Sequence, residues 1–459
     1  MGRVTALLIP LVVAGLVVAL GVTLWGRGDL NRFICDGDCG SSAVVDPEGL
    51  KILAAPPVPT PDTASPGPID PAKVAAVVRG ELGDSVLGPR VGLAVTGPTA
   101  ADVATEADRA YVPASTTKLL TGFAALATID PDTRFATSVV RSGDGIVLVG
   151  GGDPYLATKP PRKGADRVYR ADLTTLAKRT AAALKETGTT AVTLGYDASL
   201  FTGPDASPGW EPSYVTANIV TPVSALWADQ GVTRGIRDRE PAAGAARTFA
   251  ELLSKQGIDV SGTPKAAVAG AGSELVARVR SATLAQIVET LVRVSDNEAA
   301  EVVLRLVAVA AGQPADFEGG AAAVRASLES AGISTTGLVL QDGSGLSRRN
   351  RITPVTLVEV LRQALAAPRT SELVADLPVS GFTGTLVDRF AQLTAARGTV
   401  RAKTGTLSGV HSLAGYGTDA DGRPVLFALM ADRSDKDQPL QAQAALDRAA
   451  AAIAGCSCG

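Results

Sequence analysis

Ser115 and Lys118 stand three residues apart in "VPASTTKLL" (112–120). On a helix, residues at i and i+3 share a face, so a hydroxyl and an amine can meet. A serine paired with its own base is the minimum for nucleophilic acyl transfer. Histidine is the commonest base for such work, yet the chain holds one histidine, His411, eight residues past Lys403 in a strand-like run. A structural role in that strand is the simpler reading of His411. An unperturbed lysine has a pKa near 10.4 and costs about 4.6 kcal/mol to deprotonate at pH 7. Lys118 would therefore need burial, which the apolar run behind it supplies, and a second positive group nearby. Alone, the Ser-x-x-Lys spacing is common and most often marks a capped helix start.

Two further pairings carry chemistry. Ser295 and Asn297 flank Asp296 in "VSDNEAAE", at the junction of two apolar helical runs. From a turn, such a hydroxyl and carboxamide can point the same way, one passing a proton and the other gripping an amide. The competing reading is a helix N-cap, a position that Ser, Asp and Asn all favour. In "RAKTGTLSG", Lys403 offers a fixed positive charge, Thr404 and Thr406 offer hydroxyls, and Gly405 would let a substrate backbone approach. A strand end with a turn glycine is the bland alternative.

Each motif is weak alone, but each occurs once, and in this order. The ordered set resembles the penicillin-interactive serine enzymes, with their Ser-x-x-Lys, Ser-x-Asn and Lys-Thr-Gly elements. A class A β-lactamase of that pattern also needs Glu-x-x-Leu-Asn. None of the four asparagines, Asn31, Asn218, Asn297 and Asn350, has a glutamate four positions earlier. The separation of Lys118 from Ser295 is similar to that in the low-molecular-mass D-alanyl-D-alanine carboxypeptidase/endopeptidases that carry a large insertion. "LVGGGDPYL" (148–156), "YDASLF" (196–201), "PGW" (208–210) and "DGSGLSRRN" (342–350) also resemble segments of that group. "GGGDP" lacks the Lys-Ser/Thr of a phosphate loop and reads as a tight turn.

The resemblance implies an α+β fold: a penicillin-interactive, transpeptidase-like domain with an antiparallel sheet flanked by helices, interrupted by an inserted mixed α/β region. It implies Ser115 as the acylated nucleophile, Lys118 as its general base and Ser295 as proton relay to the leaving amine. Asn297 would hold the substrate amide, and Lys403 would add electrostatic support. The N–H groups of Ser115 and Thr406 would form the oxyanion hole, and the Thr404 and Thr406 hydroxyls would bind the terminal carboxylate. Leu346 and Arg348 match positions lining the family's side-chain pocket, whereas Tyr214 stands where some relatives carry an acid. The implied substrates are peptidoglycan stem peptides, with β-lactam antibiotics acylating the same serine, and no cofactor or metal is required. A penicillin-binding sensor that does not turn over, and a β-lactamase or esterase, are the rival functions.

These motifs need elements to position them. "PAKVAAVVRGELG" (71–83) reads as a helix with Pro71 in its first turn and "RVGLAVTG" (90–97) as a strand. "STTKLLTGFAALATI" is apolar on nearly every face, which predicts a central helix. From 134 to 280, short β-branched runs broken by Gly, Asp and Pro alternate with amphipathic helices, a mixed segment with its own core. Helices are predicted at 283–294, 298–312, 318–331 and 354–367. Three strand-like runs, "GTVRAKT", "VHSLAGYG" and "PVLFALMAD", precede a closing helix in "LQAQAALDRAAAAI". The expected organisation is a catalytic domain of 71–133 and 281–455, an insertion of 134–280, and a Cys-containing tail at 456–459.

At 459 residues and 46 % hydrophobic composition the chain exceeds the size of a typical single core. Its net charge of -3, without a basic stripe, gives no case for nucleic acid. Residues 1–28 hold an uncharged run, Thr5 to Trp25, long enough as a helix to cross a bilayer. It reads as a membrane anchor on the extracytoplasmic side, with a cleaved signal peptide as the alternative. Residues 29–70 are a Pro-rich linker. Cys35, Cys39, Cys456 and Cys458 sit only at the two ends, which suggests disulfides in an oxidising compartment in preference to a zinc site, with bridges between the ends expected because one within Cys-x-Cys would be strained.

Overall fold

The computed structural model describes residues 69–98, 103–105, 107–160 and 168–458. The anchor candidate at 5–25, Cys35, Cys39 and nearly all of the linker lie outside the described residues. Among the described residues, no helix is long and apolar enough to cross a membrane.

The chain opens with α1 (Pro71–Leu82), β1 (Val91–Thr96) and β2 (Val103–Thr105), then α2 (Thr117–Thr128). Asp70 caps α1 by accepting from the Ala72 and Lys73 N–H groups, and Pro71 occupies the first turn, where a missing N–H costs nothing. A second region follows: β3 (Arg134–Ser142), β4 (Gly145–Val149), α3 (Leu173–Glu186), β5 (Leu194–Asp197), α4 (Pro241–Lys255), β6 (Lys265–Ala266) and β7 (Leu275–Thr283). Four helices come next: α5 (Leu284–Arg293), α6 (Asn297–Ala310), α7 (Phe317–Ser330) and α8 (Pro354–Ala366). The chain closes with β8 (Arg401–Leu407), β9 (Val410–Thr418), β10 (Pro424–Ala431) and α9 (Pro439–Ala454).

The first sheet has the order β8-β9-β10-β1-β2 and is antiparallel throughout. β10 is buried at every position after Pro424, so the sheet is covered on both faces. One face packs on α1 and α9, the other on α8 and the helical core. The second sheet, β6-β5-β4-β3-β7, is mixed: β4–β5 and β5–β6 are parallel, whereas β3 pairs antiparallel with β4 and β7. Helices α3 and α4 cover it and form a core of their own.

Helix α2 is the hub. Every residue from Thr117 to Leu126 is buried, and it packs against α5, α6, α7 and α8. A helix apolar on all sides can be stable only in that position.

Cys456 pairs with Cys458, which corrects the expectation of bridges between the chain ends. After α9 the chain turns back on itself, with the Cys456 N–H donating to the Ile453 carbonyl, and the two Cα atoms come within 5.2 Å, inside disulfide reach. The Asp70 N–H, near the start of the described residues, donates to the Cys458 carbonyl.

Candidate functional site

Ser115 lies in a 3-10 turn, Ala114–Thr116, immediately before α2. The turn is tightly held. Ala114 has φ +49°, a region that residues with a Cβ seldom adopt, so its surroundings must impose it. The Pro113 carbonyl accepts from the Thr116 hydroxyl at 2.8 Å and from the Ser412 hydroxyl at 2.6 Å. Two glycines make the packing feasible. At Gly345 (φ +87°) a Cβ would fall 1.8 Å from the Ala114 carbonyl oxygen. At Gly405 it would fall 2.1 Å from Ser412 Oγ and 2.6 Å from the Pro113 oxygen. The absence of a side chain at Gly405 lets β8 lie directly against the serine turn.

Lys118 is fully buried. Its Nζ donates to Ser115 Oγ at 3.0 Å, to Asn297 Oδ1 at 2.8 Å and to the Ser344 carbonyl at 2.7 Å. An ammonium has three N–H donors and all three are used. In the neutral amine, two N–H groups would hold Asn297 and Ser344 while the lone pair faced Ser115. Burial lowers the Lys118 pKa to about 8 against the opposing charges of Glu301, Asp342, Asp296 and Glu298. Deprotonation at pH 7 then costs only about 1.4 kcal/mol.

Ser295 occupies the tight junction between α5 and α6, with φ +61°. The capping reading of this stretch holds for Asp296, whose carboxylate caps α6 by accepting from the Ala299 N–H. Asp296 faces the helix and Gln230, while Ser295 and Asn297 face the cleft. Lys403, fully buried, donates to Ser295 Oγ at 2.9 Å and to the Thr404 carbonyl at 2.7 Å. Burial, then the charges of Lys118 and Arg389, hold its pKa well below the usual lysine value.

Burial is the main cause of the lowered pKa at Lys118, and the acidic charges around it oppose that shift.

Thr404 donates to Thr385 Oγ1 at 3.0 Å, and Thr406 is exposed toward solvent. Leu346 is buried, and Arg348 spans from its loop to the Ser408 carbonyl beyond β8. Tyr214 lies in the turn after Trp210 with its ring half-buried against the core. His411 pairs with Thr406 across β8 and β9, but its buried ring bonds Ser434 Oγ at 2.7 Å, away from Ser115.

Sequence reasoning missed the groups behind the lysine. Asp342 organises the 342–350 loop by accepting from the N–H groups of Gly345 and Ser347, from Asn350 Nδ2 and from Trp210 Nε1. Glu301, also buried, accepts from the Gly343 and Ser344 N–H groups. A signal existed for Glu301: it lies four residues past Asn297, a second polar residue on the same face of an apolar helix. Among the described residues, no cluster of His, Cys, Asp and Glu is arranged to hold a metal.

The model of the D-Ala-D-Ala carboxypeptidase 3 (S13) family matches this chain over residues 73–235 and 231–453. Carboxypeptidase DacB of Mycolicibacterium smegmatis is 36% identical over 88% of this chain and 91% of its own length. Carboxypeptidase Rv3627c of Mycobacterium tuberculosis is 36% identical over 76% of this chain and 77% of its own length. The crystal structure of penicillin binding protein 4 from Haemophilus influenzae superposes with a TM-score of 0.69 at 22% identity, covering 81% of this chain and 98% of that one. That likeness establishes a shared fold.

Proposed function

The chain belongs to the D-Ala-D-Ala carboxypeptidase 3 (S13) family, and from that premise we propose that Ser115 is the residue through which it opens the terminal D-Ala-D-Ala bond of peptidoglycan stem peptides. The single observation that carries this assignment is the contact of the buried Lys118 amine with Ser115 Oγ at 3.0 Å. In acylation, Ser115 Oγ bonds to the scissile carbonyl carbon as its proton passes to Lys118 Nζ. The C–N bond then breaks, and Ser295, bonded to Lys403, delivers a proton to the departing amine. Water completes the cycle by hydrolysing the ester, with Lys118 again as base. Asn297 holds the substrate amide. Thr404 and Thr406 take the terminal carboxylate, and Leu346 and Arg348 line the side-chain pocket. The oxyanion faces the Ser115 and Thr406 N–H groups. The close approach of β8 supports this, because a Cβ at Gly405 would fall 3.1 Å from the Ser115 nitrogen.

Cleavage of cross-linked stems as well as release of D-Ala is the second reading; a cavity of about 520 Å³, lined in part by Tyr155, Arg293, Asp296, Phe382 and Gly384, adjoins the junction that carries Ser295 and Asn297. We assign 71–133 with 281–455 to the catalytic domain, 134–280 to an insertion, and Thr5–Trp25 to an anchor holding the enzyme at the extracytoplasmic face of the membrane.

The test is incubation of the purified protein with a D-Ala-D-Ala peptide and, separately, with penicillin. D-Ala release with a penicilloyl adduct on Ser115 is expected. A stable adduct without D-Ala release would indicate a sensor, and rapid penicillin turnover a β-lactamase.

A further inference from the structure

Glu301 is a fully buried carboxylate on a helix packed against the loop that touches Lys118, and the reaction outlined above leaves it idle. It lies on α6, one turn beyond Asn297, and is 0 % exposed. Its Oε2 accepts from the Gly343 N–H at 2.8 Å and its Oε1 from the Ser344 N–H at 3.0 Å. Burial, then the Asp342 charge, raise the Glu301 pKa to about 8, against the Ser344 and Gly343 N–H donors and the Lys118 charge, which favour the ionised carboxylate. The peptide unit so gripped continues into the Ser344 carbonyl, which accepts from Lys118 Nζ at 2.7 Å.

We propose that Glu301 is a positioning residue for acylation: it aims the Lys118 lone pair at Ser115 through the Ser344 carbonyl, and its charge sets the basicity of that amine. This rests on Lys118 being the base. A neutral amine has two N–H groups and one lone pair. If Asn297 Oδ1 and the Ser344 oxygen fix the two N–H groups, the lone pair has only Ser115 Oγ left to face. Loss of the Ser344 carbonyl would leave the amine free to rotate.

The charge acts in the same direction. Burial by itself weakens Lys118 as a base, and Glu301 is the foremost of the charges that restore its proton affinity. The other groups bearing on the pair are Asp342 from the loop, Asp296 and Glu298 from the start of α6, Arg305 one turn further along α6, and Lys403 from β8. Among the acids, Asp342 is already committed to four donors and Asp296 to its cap and Gln230. Glu298 is paired with Arg237. Glu301 is the acid that combines a charge beside Lys118 with hydrogen bonds to the backbone N–H groups of Gly343 and Ser344, next to the Ser344 carbonyl that accepts from Lys118.

The experiment is the pH profile of penicillin acylation, normalised to folded protein by circular dichroism, for the wild type, Glu301→Gln, Glu301→Asp and Lys118→Ala. Glu301→Gln removes the charge and turns an NH₂ toward a backbone donor. Its acid limb should move down by about one pH unit, and its plateau rate should fall roughly tenfold to a hundredfold through misplacement of the Ser344 carbonyl. Glu301→Asp keeps the charge but is too short to grip both N–H groups, so it should lose rate with the limb unmoved. An unmoved limb in Glu301→Gln, or a wild-type rate in Glu301→Asp, would overturn the proposal. Should Glu301→Gln not fold, the rate of Glu301→Asp decides alone. If Lys118→Ala acylates as fast as the wild type, the assignment of the base fails instead, and the two failures are thus distinguishable.

Discussion

At the scale of single residues, the site is a balance between burial and charge around one amine. Lys118 must be neutral to accept the Ser115 proton, and its pKa of about 8 means that the charged form dominates at neutral pH. Acylation should therefore rise roughly tenfold per pH unit up to about pH 8 and level off above it, a profile read directly from stopped-flow penicillin binding. A rate independent of pH between 6 and 8 would exclude Lys118 as the base. Replacing Ser115 with Ala should abolish labelling, and Lys118→Ala should slow it by about 10²–10⁴-fold. His411 offers the contrasting control. Its ring is buried against Ser434, so His411→Ala should lower thermal stability yet leave labelling within about threefold of wild type, the range of a remote packing change. The Ser, Lys and Asn types and their spacing were legible in the sequence because each pair lies within one short local motif. Glu301 and the Ser344 carbonyl were not, because one is a single polar residue in an apolar helix and the other is a backbone atom with no side-chain signature.

At the scale of elements, the cleft is an encounter between a turn, a helix junction and a strand, each arriving from a different part of the chain. The hydrophobic pattern located α1, α2, α5 to α9 and β8 to β10 to within a few residues, since each has a clear period or β-branched run. It could not say that Ser115 sits in a 3-10 turn instead of in the helix itself, because the deciding factor is tertiary: the grip of Ser412 and Thr116 on the Pro113 carbonyl. Nor could it say why Gly405 is a glycine, a matter of β8 pressing on that turn. Gly405→Ala should separate the strand from the turn and cut the acylation rate by roughly a hundredfold or more, with little change in the far-ultraviolet spectrum. Gly345→Ala adds strain at positive φ to a collision with the Ala114 oxygen, so it should lose both acylation and thermal stability. If either variant acylates at the wild-type rate, close packing of these elements is not what shapes the nucleophile.

At the scale of the whole molecule, the first and last strands of the described residues share one sheet, with β1 beside β10, while the residues between build a second sheet. The run of Gly150, Gly151, Gly152 and Asp153 lies at the joint between the two regions. A Cβ at Gly150 would strike Ala225 and Leu226, one at Gly151 the Ala136 carbonyl, and one at Gly152 the Leu306 side chain of α6. Asp153 is buried in this crowded joint. Its Oδ1 accepts from the Tyr155 N–H at 2.8 Å, while Oδ2 has no hydrogen-bond partner among the described residues. Burial raises its pKa to about 7, against the opposing effects of the Tyr155 and Leu156 N–H groups and Arg170. The sign follows from linkage. Between the unfolded carboxyl value near 3.9 and about 7, the folded state binds more protons than the unfolded one, so stability falls as pH rises through that window and is flat above it. Asp153→Asn keeps the acceptor and removes the charge. Its melting temperature should exceed that of the wild type by several degrees at pH 8, on the order expected for 1–2 kcal/mol in a chain of this size, and by much less at pH 5. Equal shifts at both pH values would mean that Asp153 stays ionised in the fold and that an unseen partner, such as bound water, satisfies it at the joint.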